Sequence, residues 1–537
     1  MLNALMPQSA TSVHRPLSLL QKPLNISGHG SSVRLQPIGQ RRTVALRGNW
    51  PKECSIQASS ISNETNNYEI QRSDFPQDFI FGTATSAYQY EGAATKGGKG
   101  RSNWDEFTHR NPDKIKDGTN ANFALDSYHR YEEYVALMKD LGVNACRLSI
   151  AWTRILPTGK LSGGVNEEGI KYYNNLINEL LSKGIQPFVV LFNRDLPQAL
   201  EDEYGSFLNS KIIEDFTDYV NICYEKFGDR VKHWITLTEP IFYTIGGYIS
   251  GSYPPGSVAD PGTNTYIVVH NLLLSHATVV NLYRKNYQAI QNGQIGIALD
   301  CEHMVPLSKD QADIEAAARA SDFTLGWFMN PLTFGDYPQS MKDLVGERLP
   351  TFSTMESQIL KGSFDFLGLN YYTAKYVKDV PPSSTASYTT DGHYKRLARI
   401  DGVPIGPATG LDWLYIYPQG MKDIILLIKE KYNDPIVYIA ENGISEHSFS
   451  TMAESLKDDQ RVQSIKDHLS YLKSAMDAGA KVKGYFVWTL LDTFEWNVGY
   501  TVRFGINYVD YNDDLAIYPK ESAKWFKEFL LPTNKSE

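Results

Sequence analysis

Cysteine is scarce in this chain and occurs four times among 537 residues. Three of the four lie beyond residue 60 at scattered positions, and none forms a C-x-x-C spacing. This set excludes a disulfide framework and indicates no zinc site, so we expect Cys146, Cys223 and Cys301 to be thiols buried in strands and helices. A G-x-G-x-x-G sequence after the first strand and a P-loop are also missing, and we expect no cofactor and no metal.

The chain also lacks a long apolar run and a basic body. No hydrophobic stretch approaches the ~20 residues of a membrane span. Asp and Glu outnumber Lys and Arg, 61 to 52, for a net charge of −9, whereas nucleic-acid binding needs clustered positive charge. We therefore expect a small-molecule substrate and neither a membrane nor a nucleic-acid partner. Assembly into a homo-oligomer stays open.

Acidic residues are absent from the first 50 positions, which carry six Lys and Arg. That segment contributes +6, so the rest of the chain carries −15. An Arg- and Ser-rich, acid-poor N-terminus is typical of an organelle transit peptide, and its serine content favours the plastid. We predict a transit peptide and disordered leader over residues 1–70 and a plastid (chloroplast) location. The alternative is a basic, disordered tail.

From about residue 75 onward, short β-rich runs alternate with longer helical patterns. Most of the runs are continuously apolar, which is typical of parallel strands buried on both faces. The predicted strands are Phe79–Ser86, Asn144–Trp152, Gln186–Asn193, His233–Pro240, Gln294–Cys301, Phe364–Tyr372, Val437–Gly443 and Lys483–Asp492. Eight βα units predict one α/β domain over residues 71–537, a (β/α)8 TIM barrel with long βα loops. A doubly wound open sheet is the alternative.

Two carboxylates end strands of the predicted barrel. Glu239 follows the fourth strand and Glu441 ends the seventh. Barrel enzymes carry their chemistry where strands end. Either residue alone could merely cap the next helix. As a pair they favour glycoside hydrolysis, which needs a proton donor and a second carboxylate across the scissile bond.

Amide, aromatic and cationic side chains accompany these carboxylates. Gln89 follows the first strand, and Trp488 ends the eighth. Amides can bond adjacent hydroxyls, and indole faces can stack on a sugar ring. Arg147 in the second strand and Tyr372 at the end of the sixth could keep a carboxylate ionised. A buried Arg in a strand is costly without an acidic partner, so Arg147 predicts one nearby.

Six motifs of the chain resemble those of glycoside hydrolase family 1, in particular its plant β-glucosidases. They are Gln-Tyr-Glu-Gly (89–92), Arg-Leu-Ser-Ile-Ala-Trp (147–152), Thr-Glu-Pro (238–240), Leu-Asn-Tyr-Tyr-Thr (369–373), Glu-Asn-Gly (441–443) and Thr-Phe-Glu-Trp (493–496). The resemblance covers about residues 75–531. It implies a retaining β-glycosidase that hydrolyses the β-glucoside of a plant specialised metabolite.

The resemblance also assigns roles. It makes Glu239 the acid/base and Glu441 the nucleophile, with Arg147 and Tyr372 supporting the nucleophile. The implied substrate-binding residues are Gln89, Asn193, Thr238, Trp413, Trp488, Glu495, Trp496 and Phe504, with Trp413 as the aglycone platform. We expect the pKa of Glu239 to be raised by an apolar setting and by the other carboxylate. The two carboxyl groups should lie about 5 Å apart, as retention requires.

Four residues depart from the family pattern. The chain has Asn193-Arg194 where relatives have His-Trp, Thr238 where they have Asn, and Ala440 where they have Thr. We expect Arg194 to turn into its own loop and meet Glu201 or Asp202.

The alternative for Arg194 is that it faces the site and binds an anionic substrate, such as a carboxylate. The departures also leave other functions open. The barrel could serve as a transglycosidase, or as an acid/base catalyst on a non-sugar metabolite. It could also be a catalytically silent binding protein.

Overall fold

The computed structural model of the protein describes residues 69–531, and eight parallel strands form a closed barrel within that range. The strands are β1 (Ile80–Ala84), β2 (Ala145–Ser149), β3 (Gln186–Phe192), β4 (His233–Thr238), β5 (Gln294–Pro306), β6 (Phe366–Asp379), β7 (Val437–Asn442) and β8 (Val482–Val487). Each strand pairs with the next along the chain, and β8 pairs with β1. The predicted barrel is confirmed, and the open sheet is excluded because the first and last strands pair.

Helices surround the strands. The longer ones are α1 (Ser127–Leu141), α2 (Glu167–Ser182), α3 (Lys211–Phe227), α4 (Asn264–Asn286), α5 (Gln311–Ser321), α6 (Gln419–Lys431), α7 (Asp459–Asp477) and α8 (Glu521–Leu530). Shorter helices lie in the connections, at Ala87–Tyr90, Asn103–Arg110, Trp152–Ile155, Gln198–Tyr204, Pro240–Ile245, Trp327–Phe334, Gln339–Val345 and Thr354–Leu360. The strands β5 and β6 run past the barrel mouth, where Tyr394–Leu397 pairs antiparallel with β6.

The predicted leader, residues 1–70, falls almost entirely outside the described residues. The leader and the domain boundary at residue 71 therefore stay predictions. Within the described range, no helix combines the length and hydropathy that a bilayer span requires. Cys146 in β2, Cys223 in α3 and Cys301 in β5 are buried free thiols, as expected.

The strands are buried on both faces, which explains their continuously apolar sequences. One set of side chains packs outward against the helices, and another fills the barrel interior. The interior set includes Ala145, Phe188, Val190 and Phe486. Alternation along β2 places Arg147 on the same inward face as Ala145, since successive strand residues point to opposite sides.

An extra residue in β4 breaks this alternation just before Glu239. The strand advances three residues, from Ile235 to Thr238, while β5 advances two, from Gly296 to Ala298. Ile235 faces the interior, and Leu237 packs with the outer set. The bulge lets Thr238 turn inward, where strict alternation would have placed Leu237.

A second bulge lies at the end of β7. This strand advances two residues, from Ile439 to Glu441, while β6 advances one, from Leu369 to Asn370. Ala440 already belongs to the interior set, so strict alternation would direct Glu441 outward toward the helices. The bulge turns the carboxylate to the mouth of the barrel instead.

A buried ion pair ties the first two βα connections together near the mouth. The Nε of Arg154 donates to Glu91 at 2.5 Å, and the Tyr173 hydroxyl donates to the other carboxylate oxygen at 2.5 Å. A second guanidinium nitrogen donates to the Gly92 carbonyl at 3.0 Å. The side chains of Arg154 and Glu91 are almost fully excluded from solvent. Glu91 of the Gln-Tyr-Glu-Gly motif is therefore a structural residue that fixes the loop carrying Gln89.

We expect Arg154→Met to lower the free energy of unfolding by about 3–5 kcal/mol, because it leaves the Glu91 carboxylate buried without a counter-charge. Adding Glu91→Gln should recover part of that loss, since no charge then stays uncompensated. Denaturant unfolding followed by tryptophan fluorescence measures both variants. The control is Arg110→Met, because Arg110 is exposed and its partner Glu106 keeps a second ion pair with Arg101, so the loss should stay under about 1 kcal/mol. Equal losses in the Arg154 and Arg110 variants would contradict the prediction.

Candidate active site

The fully buried guanidinium of Arg147 lies at the centre of the barrel mouth. One of its terminal nitrogens donates to Glu441 at the end of β7, and the other donates to the Thr238 hydroxyl at the end of β4. The side chain is 0% exposed and Glu441 is 5% exposed. The acidic partner that the sequence predicts for Arg147 is confirmed, and a single cation links three strand ends.

Glu441 is held on both carboxylate oxygens. Arg147 binds Oε1, and the Tyr372 hydroxyl donates to Oε2 at 2.6 Å. Burial and the negative charge of Glu441 raise the pKa of Tyr372 well above its usual value, so the phenol stays a proton donor toward the carboxylate. These contacts give Glu441 a positive partner and a second donor and fix its orientation, as a carboxylate nucleophile needs.

The two residues after Glu441 fix its position. The Asn442 amide donates to the Tyr371 carbonyl at 2.8 Å and accepts from the Tyr485 hydroxyl at 2.9 Å. At Gly443, a Cβ atom would lie 2.0 Å from the carbonyl oxygen of Trp488. A side chain at this position is thus excluded by a neighbouring backbone, which explains the Glu-Asn-Gly motif.

Glu239 lies across the mouth from this group, in a left-handed backbone conformation with φ of 49°. It is 5% exposed, and its Oε1 accepts from the Asn370 amide at 2.9 Å. Burial and then the charge of Glu441 raise the pKa of Glu239, while Arg194 opposes the rise. The expected upward shift and its two causes are confirmed. The predicted spacing of about 5 Å between the two carboxyl groups stays a prediction.

Arg194 contradicts the expectation that it turns into its own loop. Its guanidinium lies 3.1 Å from Oε2 of Glu239 and 4.0 Å from the centre of the Trp496 ring. The side chain is only 6% exposed. A buried cation is stabilised by a buried carboxylate and an aromatic face, and Glu239 and Trp496 supply both. The backbone at Arg194, with φ of 68°, is also unusual for a side chain of this size.

The predicted glycone residues from the first and last connections come together. The Gln89 amide donates to Glu495 at 3.2 Å and to the Phe494 carbonyl at 2.8 Å. Burial is the main cause that raises the pKa of Glu495 to about 8. Trp496 is buried against Trp104, with ring centres 4.9 Å apart.

The other predicted binding residues lie in three places. Trp488 and Phe504 belong to the apolar interior set below the carboxylates. The Thr238 hydroxyl accepts from Arg147, so one of its lone pairs is occupied. Asn193 is buried, and its Oδ1 has no hydrogen-bond partner among the residues described.

Trp413 lies at the outer side of the mouth and is 40% exposed. Its ring centre is 6.5 Å from Phe242 and 6.3 Å from Tyr372. An exposed indole above the catalytic region is suited to hold an apolar aglycone. The predicted platform role therefore has the required position.

Sequence reasoning missed three residues that act on the site. Asn370 lies inside a quoted motif, directly before Tyr371 and Tyr372, and its amide donates to Glu239. Tyr253 contacts Trp104 at 5.1 Å between ring centres and faces Arg194 at 5.9 Å. Asp300 of β5 has its pKa raised well above its usual value by burial and by the charge of Glu239. An acidic residue late in a strand run was the signal for Asp300.

Comparisons with known proteins agree with this geometry. A sequence model of glycosyl hydrolase family 1 matches residues 71–535. Beta-glucosidase 12 of Oryza sativa subsp. indica is 54% identical over 491 residues, which cover 89% of this chain and 96% of the relative. Raucaffricine-O-beta-D-glucosidase of Rauvolfia serpentina is 51% identical over 505 residues, 88% of this chain and 94% of the relative.

A solved structure of a rice β-glucosidase mutant, in a covalent complex with Glc, superposes with a TM-score of 0.85 at 45% identity. It covers 86% of this chain and 100% of that chain. The sequence match spans nearly the whole described region, and the solved structure shares the barrel. This chain belongs to glycosyl hydrolase family 1 and is a retaining O-glycosyl hydrolase.

Proposed function

We propose that this protein hydrolyses a β-glucoside of a plant specialised metabolite by double displacement. The observation that carries the proposal is the contrast between the two carboxylates. Glu441 is bonded by a cation, Arg147, and by the Tyr372 hydroxyl. Burial and the charge of Glu441 raise the pKa of Glu239, which favours its protonated form. Environments that separate two carboxyl groups in this way assign one as the acid and the other as the nucleophile.

The proposed reaction has two steps. Glu441 attacks the anomeric carbon while Glu239 protonates the leaving oxygen, and a glycosyl-enzyme forms. Glu239, now a carboxylate, then takes a proton from water, which releases the sugar and restores Glu441. The covalent complex of the rice relative with Glc supports an intermediate of this kind.

Two features support a plant metabolite as the aglycone. Trp413 presents an exposed aromatic surface beside Phe242 at the outer side of the mouth. The Rauvolfia relative, at 51% identity, is named for the glucoside raucaffricine. A broad apolar rim of this kind accommodates a bulky aglycone better than a second sugar.

We expect the roles of Glu239 and Glu441 to be distinguishable when each is replaced by alanine and azide is added. The two variants should form glycosyl azides of opposite anomeric configuration. In Glu239→Ala, azide attacks the glycosyl-enzyme and should give a β-glycosyl azide, because the configuration inverts twice. In Glu441→Ala, azide can only displace the leaving group directly and should give the α-product. Turnover of 2,4-dinitrophenyl β-D-glucoside without azide should fall by at least about 100-fold in each variant. Nuclear magnetic resonance of the product identifies the anomer.

The exposed carboxylate of Glu203, paired with Lys160, gives a matched control, and Glu203→Ala should keep full activity. The same azide anomer from both variants would contradict the assigned roles. Negligible turnover in the unaltered protein, with a rise in Thr238→Asn/Asn193→His, would favour a transglycosidase or a catalyst on a non-sugar metabolite instead.

Arg194 sets the upper pH limit of this activity. Its charge lowers the pKa of Glu239 against the effect of burial. Arg194→Gln removes that charge, so the acid should stay protonated to higher pH. We expect the basic limb of the kcat/KM profile to move upward by about one pH unit, since a nearby opposite charge shifts a carboxyl by about 1–3 units. The exposed Arg101 supplies the control Arg101→Gln, which should leave the limb in place; a downward shift in Arg194→Gln would refute the assignment.

We also propose that residues 1–70 direct the protein to the plastid. The support is compositional, because the first 50 residues carry six basic and no acidic side chains while the rest of the chain is acidic. Residues 1–70 fused to a fluorescent protein should be imported into chloroplasts of leaf cells. A variant fusion with the six Lys and Arg replaced by Gln serves as the control. Cytosolic or vacuolar fluorescence of the unaltered fusion would overturn this proposal.

A further inference from the structure

Arg194 brings a positive charge into the sugar side of the site. Its guanidinium covers the face of Trp496 at 4.0 Å, and Tyr253 lies 5.9 Å away on another side. Glu495, the neighbour of Trp496 in the chain, accepts from the Gln89 amide at 3.2 Å. Trp413 and Phe242 form the opposite, outer side of the mouth. A ligand group that meets Arg194 therefore belongs to the sugar and not to the aglycone.

The hydrogen-bonding capacity of this guanidinium is only partly used. Arg194 is 6% exposed and forms one ion pair, to Glu239 at 3.1 Å. Its Nε is buried with no hydrogen-bond partner among the residues described, and the same is true of Oδ1 of the adjacent Asn193. A guanidinium has five N–H donors in a planar fork that fits a carboxylate through two parallel bonds. Glu239 supplies a single contact, which leaves donors for a ligand.

A neutral sugar fits poorly beside this cation. The ring face of Trp496 that could stack on a pyranose is covered by Arg194. A neutral pyranose offers hydroxyls but no opposite charge to the donors that Glu239 leaves unused, so its hydrogen bonds there are weaker than those of a carboxylate. An anionic sugar supplies that opposite charge, so Arg194 favours it over a neutral sugar.

We propose that Arg194 makes this site selective for β-glycosides whose sugar carries a carboxylate, the β-glycosiduronic acids. The inference rests on the proposed β-glycoside hydrolysis and replaces glucose by its C6-oxidised form as the preferred sugar. The substrate carboxylate accepts two hydrogen bonds from Arg194. Glu495 does not repel it at neutral pH, since burial raises the pKa of that carboxyl to about 8.

Binding of such a substrate also prepares the acid. A carboxylate on Arg194 competes with Glu239 for the guanidinium and neutralises its charge. The cation then no longer lowers the pKa of Glu239, so Glu239 keeps the proton that it must donate to the leaving group. An anionic sugar would thus be favoured both in binding and in the protonation state of the catalyst.

The test compares kcat/KM for 4-nitrophenyl β-D-glucuronide and 4-nitrophenyl β-D-glucoside, which differ only at C6 of the sugar. The unaltered protein should prefer the glucuronide by at least about tenfold, the contribution of one charge-assisted hydrogen bond. Arg194→Gln should reduce the preference at least tenfold. Arg194→Lys, which keeps the charge but lacks the planar fork, should give an intermediate preference. Arg101→Gln, an exposed charge removed elsewhere, should not change it.

Two further measurements separate the outcomes. Inhibition constants of D-glucuronate and D-glucose report binding alone, and the glucuronate advantage should disappear in Arg194→Gln. 4-Carboxyphenyl β-D-glucoside, with its carboxylate on the aglycone, should gain nothing from Arg194; an Arg194-dependent gain there would overturn the placement on the sugar. An unchanged glucuronide-to-glucoside ratio in Arg194→Gln would overturn the proposal, while glucoside turnover lost in Glu441→Ala would leave the proposed function standing. Binding of neither sugar and turnover of neither substrate would refute both.

Discussion

The buried charge of Arg147 is the constraint on which the mouth of the barrel depends. A guanidinium excluded from water requires an anion and oriented dipoles around it. Glu441 supplies the anion and Thr238 a hydroxyl, so the cation holds the ends of β2, β4 and β7 in one arrangement. The proposed nucleophile is therefore also the counter-charge of a buried cation, so the proposed chemistry and the packing of the mouth use the same carboxylate.

Much of this arrangement is readable from the sequence. Eight apolar runs with intervening helical patterns fixed the number of strands, and a charged residue inside one of these runs indicated a buried partner. The side-chain direction of Arg194 was not readable, because it depends on a positive φ and on anions contributed by distant segments. Asn370 was missed because its contact with Glu239 arises from the pairing of β4, β5 and β6. Local sequence patterns specify strands and helices, whereas contacts between residues of different strands depend on the register of the sheet.

Opposing effects act on the pKa of Glu239, the proposed acid/base residue. Burial and Glu441 raise the pKa of Glu239, while Arg194, Asn370 and Arg147 lower it. Family members with an indole at the position of Arg194 lack one of these two cations. The substitution therefore alters the protonation of the catalyst and the surface offered to the sugar in a single step, which couples substrate choice to reactivity.

The bulges in β4 and β7 have a consequence for how this barrel can change. One extra residue in β7 directs Glu441 into the mouth, and one extra residue in β4 directs Thr238, which precedes Glu239, inward. Deletion of the extra residue from either strand would turn the side chains at the end of that strand to the opposite side of the sheet. Such a change is all-or-none. Substitutions in the surrounding loops act gradually by comparison. Substitutions in the loops can thus change the sugar and aglycone contacts one at a time. The lengths of β4 and β7, in contrast, cannot change by even one residue without loss of the site.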